Sequence, residues 1–377
     1  MRVETPSVAR GESQLSDPRA AVAELANQIR QDDAAGYLVF CSDAYDPDAL
    51  AAALNDSFQG PVVGCTTAGE IGSHYTTDGI VGIGFSRSDF RLHPVLIPDL
   101  TDFQLPMARQ LNQELLSRLE FTIKLDGQMQ FGLVLMDGLS IMEESIIAMV
   151  GTSLERVPVI GGSAGDNLHF RETRVFADGR FHTGAGIVTL FETRLPYHTF
   201  QLQHFEPSEQ DLVITEADPS IRRVKEIDGG PAAEEYAGLL GLQAKDLTPR
   251  EFSRHPLMLQ IGEDWYVRSI QKANSDGSLD FFCAIEEGLP LTIARGVGLV
   301  TTLEARIDRL ISEMGKIPCT LGCDCILRRL EMMEKGKTAA VEEQLARINF
   351  TGFSTFGEQY GPIHVNQTLT AVALGKR

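Results

Sequence analysis

The chain has 377 residues, 43% of them hydrophobic and 23% charged, long enough for two or more domains with full cores. Its 33 basic against 52 acidic side chains give a formal charge of −19, which repels phosphate backbones and anionic lipid and speaks against nucleic-acid or membrane partners. No apolar run approaches the ~18 residues of a membrane span, and the start, Met1-Arg2-Val3-Glu4-Thr5-Pro6-Ser7, carries an early acid and no apolar signal region, so a cytoplasmic protein is expected.

In chain order, residues 1–15 are polar and expected to be flexible. From residue 16 the pattern alternates. Ala20–Arg30 reads as a helix, Tyr37–Cys41 as a strand, Pro47–Asn55 as a helix capped by Asp46, and Pro61–Thr67 as a strand running into a glycine-containing loop. Strands at Ile80–Phe85 and Phe90–Leu96 precede a helix over Asp102–Leu119, where Met107, Leu111, Leu115 and Leu119 fall four apart. A strand at Phe131–Met136, a helix at Ile141–Met149 and a strand at Val157–Ile160 complete an α/β alternation with short connections. The chain then turns to strands. Val175-Phe176 and Arg180-Phe181 bracket Ala177-Asp178-Gly179 as a hairpin, and strands follow at Gly186–Phe191, Tyr197–Phe205 and Asp211–Glu216. A boundary is placed at residues 218/219, giving domains over 16–218 and 219–377. The second holds a helix at Ala232–Leu239, a strand pair (Trp265–Gln271 and Leu279–Ala284) and amphipathic helices at Thr302–Met314 and Thr338–Ile348. The fold class predicted is α/β, as two mixed α/β domains. Neither a sequence repeat nor a low-complexity segment is visible.

Polar chemistry concentrates at three strand ends. Gly64-Cys65-Thr66-Thr67-Ala68-Gly69-Glu70 and Ile160-Gly161-Gly162-Ser163-Ala164-Gly165-Asp166 each end an apolar strand, where α/β sheets bind ligands. Cys65, Thr66, Glu70, Ser163 and Asp166 are therefore ligand-loop candidates, against the plainer reading of tight turns that need glycine. Neither loop is a P-loop or a dinucleotide fingerprint. Near the end of the chain, Gly352–Thr368 packs Glu358, Gln359, Tyr360, His364 and Asn366 between apolar strands. Such density marks either a ligand-facing loop or a hydrogen-bonded core. Glu358, Gln359, His364 and Asn366 are expected to form one network that fixes the Gly357–Pro362 turn or lines a pocket.

Of six cysteines, Cys41, Cys65 and Cys283 stand alone in apolar runs, as small hydrophobes do. Cys65 is also a candidate nucleophile, although no histidine can be assigned to it as a base. Cys319, Cys323 and Cys325 form a C-x-x-x-C-x-C cluster, close enough in sequence to share zinc with a fourth ligand, to act as a redox trio, or to stay reduced and structural. Among the eight histidines, His169, His182, His198 and His204 interleave with Phe170, Phe176, Phe181, Phe191, Phe200 and Phe205. An apolar slot with one imidazole is what a haem site needs, and also what a sheet core looks like.

Taken together, Gly64–Glu70, Ile160–Asp166 with its hairpin, Ile227-Asp228-Gly229-Gly230-Pro231-Ala232-Ala233-Glu234-Glu235-Tyr236, Asp324–Arg328 and Gly352–Thr368 resemble the N- and C-terminal domains of FIST sensory proteins. The resemblance covers nearly the whole chain, with its motifs in the right order. His204-Phe205-Glu206-Pro207-Ser208-Glu209 leading into Leu212–Pro219 is most similar to the nitric-oxide-sensing NosP branch of bacterial haemoproteins. That resemblance implies haem b, nitric oxide binding at ferrous iron, control of a sensor histidine kinase in trans with a biofilm or cyclic-di-GMP output, and no catalytic activity. His204, inside the NosP-like stretch, is the first choice of axial ligand, with His182 and His169 as alternatives. Zinc is the candidate cofactor at the cysteine cluster, and a homo-oligomer is compatible with the family. Two other readings stay open: a haem-free FIST sensor of amino acids or another small metabolite, and a cysteine-dependent enzyme using Cys65. Ligand binding to one of two conformers would change the surface offered to the partner.

Overall fold

The computed structural model describes residues 6–119, 129–154 and 157–376. Three stretches of chain fold into the same arrangement. The first runs β1 (Val8–Ser13), α1 (Pro18–Ile29), β2 (Ala34–Cys41), α2 (Pro47–Ser57), β3 (Val62–Thr66), a short hairpin β4 (Glu70–Ile71) and β5 (Tyr75–Thr76), then β6 (Ile80–Ser86). The second runs β7 (Phe90–Ile97), α3 (Leu105–Ser117), β8 (Met129–Met136), α4 (Glu143–Ser153), β9 (Val159–Ser163), the hairpin β10 (Val175–Ala177) and β11 (Arg180–His182), then β12 (Gly186–Thr193). The third opens with β13 (Tyr197–Leu202).

A long insertion then intervenes: β14 (Phe205–Asp218), β15 (Arg223–Ile227), β16 (Gly230–Pro231), α5 (Ala232–Leu239), α6 (Pro249–Arg254), β17 (Leu257–Ile261), β18 (Asp264–Arg268), β19 (Ile270–Ala273), β20 (Leu279–Phe281) and β21 (Pro290–Gly296). The third stretch resumes with α7 (Leu299–Met314), β22 (Cys319–Cys325), α8 (Ile326–Glu334), α9 (Thr338–Arg347), β23 (Phe350–Thr355), the hairpin β24 (Glu358–Tyr360) and β25 (Ile363–Val365), and β26 (Leu369–Leu374).

Each stretch builds a six-stranded sheet in one order, and each completes it with a hairpin borrowed from another stretch. The orders are β1-β6-β2-β3-β10-β11, β7-β12-β8-β9-β24-β25 and β13-β26-β22-β23-β4-β5. Each sheet carries one parallel pair at its centre: β2 with β3, β8 with β9 and β22 with β23. The hairpin exchange is cyclic, so each sheet depends on a neighbour for its edge. Insertion strands form a fourth sheet of eight.

Alternation along the central strands explains the layers. Leu38, Phe40, Leu133, Leu135, Leu321 and Phe353 meet in a shared central core, while Tyr37 and Val39 pack outward on α1 and α2, and Val134 on α3 and α4. Strands covered on both faces read as continuous apolar runs, which is why they were legible. Asp17 and Asp46 cap α1 and α2, accepting from the Ala20 and Ala49 N–H groups.

Two expectations change. The start of the chain was expected to be loose, yet Val8–Ser13 pairs antiparallel with β6 from Val8↔Phe85 to Ser13↔Ile80. An edge strand needs little hydrophobicity of its own. The 218/219 boundary falls in the turn between β14 and β15, which pair with each other.

Candidate functional site

The C-terminal ends of β3, β9 and β23 converge, and their backbones interlace. Ala68 N–H donates to Ser354 O at 2.9 Å, Ser354 N–H to Gly69 O at 2.7 Å, Ser163 N–H to Gly357 O at 2.8 Å and Gly165 N–H to Thr66 O at 3.1 Å. Equivalent glycines make the close approach possible. A Cβ on Gly64, Gly161 or Gly352 would overlap the carbonyl oxygen of its parallel partner, Val39, Val134 or Gly322 respectively.

Each strand end is followed by a buried carboxylate. Glu70 accepts from Thr67 Oγ1 at 2.6 Å, Thr76 Oγ1 at 3.2 Å and Gly79 N at 3.0 Å. Glu358 accepts from Thr355 Oγ1, and from Thr368 N and Oγ1 at 3.1 and 2.8 Å. Burial outweighs these bonds and pushes Glu70 up to about 7 and Glu358 up to about 8. Asp166 does something different: its carboxylate accepts from Phe170 N, Arg171 N and Glu172 N at 2.9, 2.7 and 3.1 Å and ties down its own loop. That loop spans 11 residues between β9 and β10, whereas 3 residues join β3 to β4 and 2 join β23 to β24.

The long loop lies over the convergence. Asn167 Nδ2 donates to Asp43 Oδ1 at 2.9 Å and Thr77 O at 3.0 Å, and His169 Nδ1 lies 3.1 Å from Asp43 Oδ2. One cleft beside it, of about 330 Å³, is walled by Ala68, Leu168, Ile326, Leu330 and Met333, with His169 at its margin. A smaller cleft of about 130 Å³ is lined by Ile141, Phe170, Ile221, Arg222, Phe282 and Phe356. Ile141, Asn167, Leu168, Phe170 and Arg222, five of the nine described non-glycine residues with positive φ, line these two clefts. Residues held in such sparsely populated backbone regions cost on the order of 1–3 kcal/mol each and collect at ligand clamps and switches. For a β-branched residue such as Ile141, at φ 61°, the left-handed region is a genuine outlier.

Two grooves elsewhere have a plainer origin. One of about 260 Å³ lies among Arg10, Gly72, Leu345 and Phe350, and one of about 240 Å³ among Pro94, Phe176, Phe58 and Val62. They occupy the same place in successive repeats, between an outer strand, a borrowed hairpin, a helix and the second parallel strand. The architecture itself produces them.

The FIST N domain profile matches residues 37–230, more than half of the chain, and the FIST C domain profile matches residues 232–361. The chain belongs to the FIST family. FIST domains are sensor domains of signal transduction. A comparison with curated proteins yields no match. Among the described residues no helix of this FIST protein is long and apolar enough to cross a membrane.

The sequence candidates in this FIST chain sort by what surrounds them. Cys65, Thr66, Glu70, Ser163, Asp166, Glu358, Gln359, His364 and Asn366 are all at most 3% exposed. They build the platform beneath the clefts. Thr66 Oγ1 accepts from Arg174 N at 3.0 Å, and Gln359 Nε2 donates to Ser163 Oγ at 3.0 Å and lies 3.3 Å from His364 Nδ1. Burial holds His364 down near 4, so it is neutral. Among the described residues, Gln359 Oε1 and both amide atoms of Asn366 lack a hydrogen-bond partner. The four expected to form one network therefore divide: Glu358 closes on Thr355 and Thr368, Gln359 and His364 meet each other, and Asn366 stands apart.

Of the cysteine readings, zinc sharing and a Cys65 nucleophile do not fit, whereas reduced, structural thiols do. Cys319, Cys323 and Cys325 lie on one extended strand, all buried, at positions four and two residues apart. A rise of roughly 3.3 Å per residue separates Cys319 from Cys323 by about 13 Å, whereas sulfurs sharing zinc each sit about 2.3 Å from it. Among the described residues no group of three or more His, Cys, Asp or Glu is placed to hold a metal ion. Burial raises all three thiols, Cys319 to about 12. Cys65 is inaccessible and its thiol is held well above the usual range by burial, the opposite of what a nucleophile needs.

The three imidazoles considered for haem also separate. His204, the first choice, is 1% exposed, with Nε2 2.7 Å from Glu331 Oε2 and Nδ1 3.0 Å from Arg328 Nη1. A guanidinium only donates, so Nδ1 accepts and Nε2–H donates to the carboxylate. Neither nitrogen is left for iron. His182 Nε2 donates to Ala177 O at 3.1 Å within the β10–β11 hairpin. His169 fits: its side chain is 56% exposed, it adjoins the apolar cleft, and with Asp43 accepting from Nδ1–H the lone pair rests on Nε2. A carboxylate behind the distal ring nitrogen is the arrangement metal-ligating histidines use. Sequence reasoning missed Asp43, Leu168, Ile326, Leu330 and Met333, since nothing local in the chain marks them as neighbours.

Proposed function

We propose that this FIST protein is a haem-dependent nitric oxide sensor whose cleft under loop 166–173 would hold haem b through His169, and that it acts on a sensor histidine kinase in trans. The observation that carries the reading is the Asp43–His169 pair at the edge of an apolar cleft. Haem, when bound, supplies the iron at which nitric oxide binds. Asp43 orients the imidazole and fixes its tautomer. Leu168, Ile326, Leu330 and Met333 would give the group an apolar wall on the same face. His169 and Phe170 are neighbours in the strapped loop, and Phe170 stacks on Phe356 at 4.9 Å and touches Phe282 of the insertion at 6.1 Å. A shift of His169 is thereby passed to the inserted sheet, whose altered surface a kinase would read.

Reconstitution with haem followed by gel filtration tests this. Wild type and His204→Ala should keep a Soret band that shifts on adding nitric oxide to the ferrous form, and His169→Ala should lose it. Full haem retention by His169→Ala would overturn the assignment. The polar groups Asn167, Asp78 and Arg329 in the same cleft favour a second reading, a haem-free sensor of a small metabolite. Absence of a Soret band in wild type, with melting raised by an amino acid, would select it.

A further inference from the structure

The smaller cleft is a separate feature from the one beside His169. Phe170, Phe282 and Phe356 line it with Ile141 and Ile221 at its sides, and backbone groups with the Arg222 and Gln271 side chains add polar surface. Three of these are large apolar groups held partly in solvent, with Ile141 42%, Phe170 39% and Ile221 45% exposed. Ile141, Phe170 and Arg222, which all line it, have positive φ without being glycine. Apolar exposure and backbone strain coincide in one place, and two of the exposed residues, Ile141 and Phe170, are themselves strained. Arg222 is already paired with Glu143, Glu144 and Phe282 O, which leaves the Gln271 amide as the polar group at the rim. At about 130 Å³ the cleft is close in size to the roughly 150 Å³ enclosed apolar cavity that takes up benzene, and it opens to solvent along Ile141, Phe170 and Ile221.

We propose that this cleft is a binding site for a small monocyclic aromatic molecule, a substituted benzene with at most one hydrogen-bonding group. The ring would pack against Phe170, Phe282 and Phe356 in the offset or edge geometries that aromatic pairs prefer, and a single hydroxyl or amine would reach Gln271. A charged group is disfavoured, because the one guanidinium present is neutralised by two carboxylates.

The test uses the full-length protein and phenol as probe, with toluene as the form lacking a polar group and benzoate as the charged form. Isothermal titration should give a saturable isotherm for phenol and toluene and none for benzoate. Ile221→Trp fills the cleft from an exposed position and should weaken phenol binding roughly tenfold or more. Phe170→Ala removes a ring and should weaken it severalfold. Should either variant fail to fold, nuclear Overhauser contacts between phenol ring protons and the wild-type Phe170 and Phe282 rings decide the matter. Contacts to those rings support the site. Contacts elsewhere, no saturable binding by wild type, or unchanged affinity in folded Ile221→Trp overturn it.

Discussion

The links that follow β3 and β23 can be set against the link that follows β9. The first two are short, and each places a glutamate wholly inside the protein, hydrogen-bonded to a threonine three residues earlier: Thr67 with Glu70, Thr355 with Glu358. The third is long, has no such threonine, and spends its Asp166 on its own backbone. The two regular links lock borrowed hairpins into place. The irregular one arches over the point where all three meet, carries His169 and Phe170, and lines both clefts. Where a repeat is kept, the residues serve the architecture. Where it is broken, they face solvent and carry strain.

The largest effect is expected at the glycines that the three links share. Gly64→Ala, Gly161→Ala and Gly352→Ala each drive a Cβ into a partner carbonyl that is fixed in a sheet and cannot move aside. Each should cost about 3 kcal/mol or more in denaturant unfolding, and the three should be alike. A mild loss at Gly161 with severe losses at the other two would show that the second repeat tolerates what its fellows do not.

Next come the carboxylates. Glu358→Ala leaves Thr355 Oγ1 and the Thr368 N–H and hydroxyl unpaired, and Glu70→Ala does the same to Thr67, Thr76 and Gly79. Each buried orphan costs roughly 1–3 kcal/mol, so both variants should lose several kcal/mol. Asp166→Ala, whose loop stands nearer to solvent, should lose less stability but should loosen both clefts. Hydrogen exchange at Phe170, Arg171 and Glu172 would register that, and equal protection in wild type and variant would contradict it.

How much of this could be read from the chain follows from the same division. The α/β alternation, the Asp46 cap and the β10–β11 hairpin are local, and each was legible. The three strand ends drew attention because glycine, hydroxyl and acid are dense there, and that density is real. What they do was not legible, since a hydroxyl and a carboxylate three residues apart look the same whether they face a ligand or each other. The threefold repeat was invisible because so few positions carry it, chiefly Gly64, Gly161 and Gly352 with the carboxylates Glu70, Asp166 and Glu358. The hairpin exchange joins residues nearly 300 apart in sequence, as in Gly352↔Ile71. The cysteine cluster misled for a related reason. Spacings of two and four are the period of a strand, which places all three side chains on one buried face rather than around a metal.

A pH effect of intermediate size should separate Glu358 from ordinary surface acids. Its carboxyl is raised from 4.5 to about 8 in the folded protein. The unfolded chain therefore ionises first, and the stability contributed by the protonated form is complete below pH 4.5 and drains away as pH rises toward 8. The full shift corresponds to roughly 3–5 kcal/mol. Glu70, raised to about 7, acts in the same direction. Unfolding free energies between pH 5 and 8 should fall less steeply in Glu358→Gln than in wild type. Parallel slopes would mean that the folded carboxyl titrates normally.

The smallest change in stability, and the sharpest contrast in role, is expected between two histidines. His204 bridges Glu331 and Arg328 in the interior, and Arg328 in turn holds Asp324 at 2.6 Å, which accepts from Tyr75 OH at 2.6 Å. His204→Ala removes one partner each from Glu331 and Arg328, which keep Lys335 and Asp324 respectively, and should cost about 1–3 kcal/mol. His169 is half in solvent and its imidazole pairs with Asp43. His169→Ala should shift stability by no more than about 0.5 kcal/mol, while abolishing whatever the larger cleft binds through that imidazole. Thermal melting sets the first quantity and haem retention the second. The proposal requires the two variants to fall in opposite corners: His204→Ala less stable and still haem-loaded, His169→Ala fully stable and empty. If His169→Ala instead melts early and keeps haem, the irregular loop is part of the frame after all, and the iron ligand lies elsewhere in the chain.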